Sequence, residues 1–371
     1  MEHNKYGVAI DIGASKVTVL VGEQREEGRI KILSGAFVPL KPDVIKRGEI
    51  ENVNDVTVAL RKALQTIENE DNIKVNKATV GITGLYVSCD SKQESVYVKI
   101  SDEISDYDLE ALAENVRRIK PKNGCSVIEI IPLEYSVDGK PSIENPLGAS
   151  GNKLTGCYNI VYGDDAKLNL LKRAVARAGV EVVDIVPFSF AAAAAVLSEE
   201  DIELGVCLVD FGATTIEIAI FQDKKLRFTA TLPYGAALLN NDIKSYGILQ
   251  RSVESLKVQY GSAMPEYTPD DVAIEIPSIS SARPKTIPQR TLSRIIEARM
   301  IEVIKGIKEV INGSGYANRL PEGVVLTGGG AKLTNMDRLF RKISTYDTRI
   351  GIPDVRVDGI DNDIIFDTRY S

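Results

Sequence analysis

The stretch GVAIDIGASKVTVLVG, residues 7–22, and its near copy GVCLVDFGATTIEIAIF, residues 205–221, decide the architecture of this chain. Each is a β-branched, mostly apolar run interrupted by D-x-G-x-[ST], which reads as a strand, a tight turn and a second strand. Asp11 and Asp210 lie 199 positions apart, and so do Gly13 and Gly212. A repeat at that period predicts two homologous lobes.

Outward from the first copy, the spacing of Val53, Val56, Leu60, Leu64 and Ile67 predicts a helix, with Asn52 or Asn54 as its N-cap. Strand-like runs follow at Ala78–Ile82 and Cys157–Val161, helical spacing at Ala166–Ala178, and a β-run at Val180–Val186. Strands alternating with helices predict α/β lobes. Between Gly84 and Tyr162 the texture changes to a charged helix and a loop-rich stretch, as expected of an inserted subdomain. A second insertion, about Asn241–Ala317, carries two helical patterns around a Pro- and Ser-rich middle at Tyr267–Pro288. The alanine-rich Phe190–Leu197 is expected to pack closely between helices.

The chain has 371 residues, 44% of them hydrophobic, enough for two lobes that each bury a core. With 52 Asp plus Glu against 45 Lys plus Arg, its net charge of -7 offers no basic field for nucleic-acid phosphates. Cys89, Cys125, Cys157 and Cys207 form no CxxC pair, which fits a reducing compartment. The single histidine, His3, excludes His-based triads and nearly all zinc sites. No signal peptide or membrane-spanning run is visible, so a cytoplasmic protein is expected.

The chemistry that remains is phosphate binding. In Asp11-Ile12-Gly13-Ala14-Ser15-Lys16 and Asp210-Phe211-Gly212-Ala213-Thr214-Thr215, glycine lets backbone N–H groups approach phosphate oxygens. The hydroxyls add donors, and an aspartate can hold Mg through water. Singly, each is an ordinary hairpin turn; as a homologous pair they can clamp one phosphate chain from opposite sides. Val324–Thr327 followed by Gly328, Gly329 and Gly330 reads as a strand running into a helix N-terminus, another resting place for phosphate or sugar. Glu254 and Lys257 share a helix face, alone no more than a solvated ion pair.

In order, DIGASK, IVPFSFAAAAAVL, VDFGATT, ExxK and TGGG resemble the phosphate-1, connect-1, phosphate-2 and adenosine motifs of the actin, Hsp70 and sugar-kinase superfamily. Within it, KRGEIENVNDVTVALRKAL, IPLEYSVDGKPSIENPLGASGNKL and RPKTIPQRTLSRIIEAR resemble the FtsA family of bacterial cell division. The resemblance implies an α/β, actin-like, ribonuclease-H-like duplicated ATPase fold with two lobes around a nucleotide cleft. It divides the chain into subdomain 1A (1–83 and 163–196), an inserted α+β subdomain 1C (84–162), 2A (197–240 and 318–371) and 2B (241–317).

The same resemblance implies ATP and Mg as ligands. Asp11, Gly13, Ala14, Ser15 and Lys16 would lie near the β- and γ-phosphates, and Gly212, Ala213, Thr214 and Thr215 on their other side. Glu254 and Lys257 would meet ribose and adenine, with Gly328, Gly329 and Gly330 beneath the α-phosphate and sugar; Gly235 and Lys332 complete the ATP set. Asp11 and Asp210 would hold Mg through water. Ala236 and Asn240 depart from the family's double glycine and threonine, and Val186 stands where many relatives place Glu or Gln.

At most slow ATP hydrolysis is therefore expected. The implied partners are the FtsZ C-terminal tail, received by Lys285, Arg290, Arg294 and Arg299 beside Ile295 and Ile296, copies of the chain in a protofilament, and other divisome proteins at 1C. Membrane contact is expected only through a C-terminal amphipathic helix beyond Ser371, and the end at Ser371 reads as a truncation. A PilM-like pilus adaptor and a sugar or acetate kinase are the alternatives.

Overall fold

The computed structural model describes residues 6–26, 29–98, 103–269, 272–276, 285–353 and 357–359; His3 and the chain end after 359 lie outside them. The first lobe opens with β1 (Gly7–Ile12), β2 (Lys16–Gln24), β3 (Ile30–Pro39), the short hairpin β4 (Ile45–Lys46) and β5 (Glu49–Ile50), α1 (Val53–Asp71) and β6 (Lys77–Ile82). The insertion follows as β7 (Val87–Tyr97), α2 (Asp106–Arg117), β8 (Cys125–Val137), β9 (Lys140–Ile143) and β10 (Lys153–Asp164). Then come α3 (Asp165–Arg177), β11 (Glu181–Pro187), α4 (Phe188–Val196) and α5 (Glu199–Leu204).

The second lobe is β12 (Val206–Phe211), β13 (Ile216–Gln222), β14 (Lys225–Leu232), α6 (Ala237–Ser245), α7 (Gln250–Tyr260), the hairpin β15 (Ala273–Ile276) and β16 (Lys285–Pro288), and α8 (Gln289–Gly313). It closes with β17 (Val324–Thr327), α9 (Met336–Ser344), β18 (Thr348–Ile350) and β19 (Val357–Gly359).

The sequence repeat is a repeat of topology. One sheet has the order β11-β6-β1-β2-β3-β19 and the other β14-β13-β12-β17-β18. In the first, β2 is antiparallel to both β1 and β3, β6 is parallel to β1, and β11 is parallel to β6. Strands β12, β13, β14, β17 and β18 repeat each of those relations. Even the register repeats: Asp11 stands opposite Thr18, and Asp210 opposite Glu217. β12 and β13 are covered on both faces, which is why they read as nearly unbroken apolar runs.

Asn52, not Asn54, caps α1: its Oδ1 accepts from the N–H groups of Asn54 and Asp55 at 3.0 and 3.1 Å. α4 differs from expectation in its partner. Ala192, Ala193 and Val196 are buried against Val206, Leu208, Ala219 and Phe221 of the second sheet and against Val325, so small side chains here let a helix approach a sheet rather than another helix. The insertion forms a four-stranded sheet, β7-β10-β8-β9, with α2 over one face and a core of its own.

Three boundaries move. α6 begins at Ala237, so the expected break at 240/241 falls inside a helix. After β17, Gly329–Lys332 make only a short 3-10 turn, and the helix expected at the glycines starts at Met336. Val357–Gly359, expected in the second lobe, instead add a parallel strand to β3 of the first. Strand propensity says nothing about which free edge a strand will join.

Candidate functional site

In both lobes the D-x-G turns leave the carboxyl ends of strands that sit beside a parallel neighbour, where open α/β sheets form their crevices. Gly13 N–H donates to Lys16 O at 3.0 Å and closes the first turn. The second turn is overlaid by another segment: Ala236 N–H donates to Gly212 O at 3.0 Å and Ala237 N–H to Ala213 O at 2.8 Å. Gly235 must be glycine for this contact, since a Cβ there would lie 2.4 Å from Gly212 O.

From the other side, Thr327 pairs with Asp210, which brings the glycines directly over the aspartate. A Cβ on Gly328 would lie 2.2 Å from Asp210 Oδ1, and one on Gly330 2.1 Å from Phe211 Cδ1. Sequence-distant Asp210, Gly212, Ala213, Gly235, Gly328 and Gly330 are thus one site. Lys332 is exposed at the end of the 3-10 turn, while the Thr214 hydroxyl is buried in the turn with no hydrogen-bond partner.

The charge of Asp11 is felt at Asp210. Burial raises the Asp11 carboxyl to about 6, with Lys16 pulling it back, and raises Asp210 to about 7, with the charge of Asp11 adding to the rise. Both keep a partly accessible surface while protein surrounds them on most sides. Desolvated carboxyls beside an unpartnered hydroxyl and a glycine cradle fit a Mg-bearing phosphate chain. No cluster of three or more His, Cys, Asp or Glu groups that could hold a metal occurs among the described residues.

Sequence reasoning missed three residues of this site. Glu217, only 4% exposed, accepts a hydrogen bond from Thr83 Oγ1 at 3.2 Å. Thr83 follows β6, so this bond crosses from one lobe to the other. Burial pushes the Glu217 carboxyl up to about 8, helped by the charge of Asp210 and opposed by the Thr83 bond. The Tyr86 phenol, held up by burial and by the charges of Glu217, Glu49 and Asp11, is the third. One signal was visible: an acid inside the apolar run IEIAIF requires a reason to be buried.

Glu254 and Lys257 lie on α7 and meet at 2.8 Å. Asn240 closes a triangle with them, donating to Glu254 Oε2 and accepting from Lys257 Nζ, both at 3.1 Å. The departure from threonine therefore supplies an amide that orients the pair. On α8, Arg299 binds both oxygens of Asp242 at 2.7 and 2.8 Å and Glu302 at 2.5 Å, and Arg290 Nε donates to Pro265 O at 3.1 Å. Arg294 is exposed and lines a cavity of about 480 Å3 with Tyr246, Thr291 and Ile295. Ile296 offers no surface there, because it is fully buried in the core of the second lobe. Lys285 lies in β16. Val186 lines a groove of about 380 Å3 with Ile131 and Phe190.

Two homologous sheets with facing acidic turns define an actin-like ATPase fold. Likeness to solved structures supports that class: the PilM-PilN type IV pilus biogenesis complex (TM-score 0.66, 15% identity, 95% of this chain and 90% of that one), and MreB5 of Spiroplasma citri bound to ADP (TM-score 0.56, 14% identity, 94% and 92%). Residues 207–370 match the family "Cell division protein FtsA" and residues 84–162 the "SHS2 domain inserted in FTSA". The chain is 30% identical to the FtsA of Bacillus subtilis (strain 168) over 95% of its length and 80% of that protein. It is 28% identical to the FtsA of Escherichia coli (strain K12) over 94% and 84%. The chain belongs to the FtsA family of cell-division proteins.

Proposed function

We propose that Mg-ATP binds between the two lobes and that the chain acts as an ATP-dependent, polymer-forming adaptor linking the FtsZ ring to the inner membrane at its cytoplasmic face. The observation that carries this reading is the convergence of Asp11, Asp210, Gly235, Gly328 and the unpartnered Thr214 hydroxyl on one cleft. Asp11 and Asp210 hold Mg through its waters, and the two turns, with Gly13, Ala14, Ser15, Lys16, Gly212, Ala213, Thr214 and Thr215, receive the phosphates. Glu254 and Lys257 meet ribose and adenine, with Lys332 at the rim. The metal would neutralise charge on the phosphates, and hydrolysis is slow. Ligand binding across both lobes favours the closed arrangement, the state that assembles.

In calorimetry, Asp210→Asn is expected to lower Mg-dependent ATP affinity about tenfold, the scale of one charge-assisted contact. Equal affinity of variant and parent, with and without Mg, would remove the assignment.

The FtsZ tail is assigned to the α8 face around Arg294, with copies of the chain forming the filament and other divisome proteins meeting residues 84–162. Membrane attachment is assigned to a C-terminal amphipathic helix. Reversing Arg290 and Arg294 to Glu is expected to weaken binding of an FtsZ tail peptide about tenfold and flatten its salt dependence, with ATP affinity unchanged. Undiminished fluorescence-polarisation binding by the doubly reversed protein would move the peptide site elsewhere.

A further inference from the structure

The inserted domain touches more than the lobe that carries it. Leu154, Tyr158, Ile160 and Tyr162 of β10 belong to its own core, and strand alternation turns Asn159 to the opposite face. There Asn159 is 1% exposed. Its Oδ1 accepts from Ser91 Oγ at 2.6 Å, within the inserted sheet. Its Nδ2 donates outward to Leu226 O at 2.9 Å and Arg227 O at 3.2 Å, both on β14 of the second lobe. Lys225 Nζ returns the contact by donating to Leu133 O of β8 at 2.6 Å. Ile131 adds an apolar contact with the cluster formed by α4 and the second sheet.

One amide can serve two successive carbonyls because β14 is bulged at that point. A regular strand turns successive carbonyls to opposite edges, but here Ile220 pairs with Phe228 and Phe221 with Leu226, which leaves Arg227 unpaired. β14 is also the outer strand of its sheet, so its free-edge carbonyls need donors from elsewhere.

We propose that this clasp makes the inserted domain a strap between the lobes. By chain connectivity the domain belongs to the first lobe, between β6 and α3; through Asn159 and Lys225 it is fastened to the second. Rotation of the lobes must either break the clasp or carry the inserted domain along. Whatever binds the inserted domain and whatever closes the cleft then act on one equilibrium. The link to nucleotide rests on the Mg-ATP reading above; the mechanical coupling does not.

Hydrogen exchange of the ligand-free protein tests the coupling. Asn159→Asp keeps volume and the Ser91 contact but turns a charge toward two carbonyls. It is expected to speed exchange at least fivefold in β14 and also in the remote turn at Asp210–Thr215. Acceleration confined to β8, β10 and β14, with the turn unchanged, would mean local packing only and overturn the strap. Lys225→Met, a milder lesion, is expected to act in the same direction and decides the matter should Asn159→Asp fail to fold. Calorimetry then separates the two readings. If the parent protein binds Mg-ATP, the strap requires a fivefold or larger change in affinity in the variant. A parent protein that binds no Mg-ATP sinks the nucleotide reading and leaves the strap to the exchange result.

Discussion

Replacing Gly328 by alanine is expected to abolish Mg-dependent ATP binding and to destabilise the fold by about 1–3 kcal/mol from backbone strain alone. Gly328 sits at φ 82°, ψ 173°, a region in which a side chain collides with its own backbone. The added methyl would also stand 2.2 Å from Asp210 Oδ1 and 2.9 Å from Phe211 O, so the carboxylate must swing away from the floor of the cleft. Gly329 is the internal control, because a Cβ there meets nothing within 4 Å. Urea unfolding and calorimetry of the two alanine variants check the contrast. Parent-like ATP affinity in Gly328→Ala would show that the position of Asp210 does not matter for binding.

The lobes were legible because a strand-turn-strand unit carries its whole geometry locally. The 199-residue offset between Asp11 and Asp210 then predicted a duplication that the two sheets repeat in every strand except the added β19. The inserted domain was legible for a related reason, a change of texture between two stretches of ordinary α/β pattern. The glycines after Thr327 were recognised, but the helix expected to start at them begins only at Met336. They do not open a helix; Gly328 and Gly330 clear space over Asp210 and Phe211, a demand set by a neighbouring strand 117 residues away.

Contacts between the lobes stayed hidden. Thr83 and Glu217 lie 134 residues apart and Asn159 and Leu226 67 apart, and neither pair follows a period that a helix or strand imposes. Arg299 shows the opposite failure. Its charge looked available to a partner, yet Asp242 on α6 takes two guanidinium bonds and Glu302 a third. Charge runs report solvation in sequence and pairing only in space.

The largest effect of pH is expected at Glu217, and glutamine there is expected to stabilise the ligand-free protein at pH 8. Burial holds its carboxyl at about 8, against about 4.5 in the unfolded chain. Between those values the folded state keeps a proton that the unfolded state releases, so each step upward in pH weakens the fold. The raised carboxyl costs nothing at pH 4 and its full amount only above its folded value. Glu217→Gln has no proton to lose at this site and lacks that slope, while its side-chain oxygen still accepts from Thr83. Variant and parent should therefore unfold at similar urea concentrations near pH 5 and diverge by about 2–4 kcal/mol at pH 8, the variant being the more stable. Parallel stability curves from pH 5 to pH 8 would show that the carboxyl is not desolvated in the folded chain.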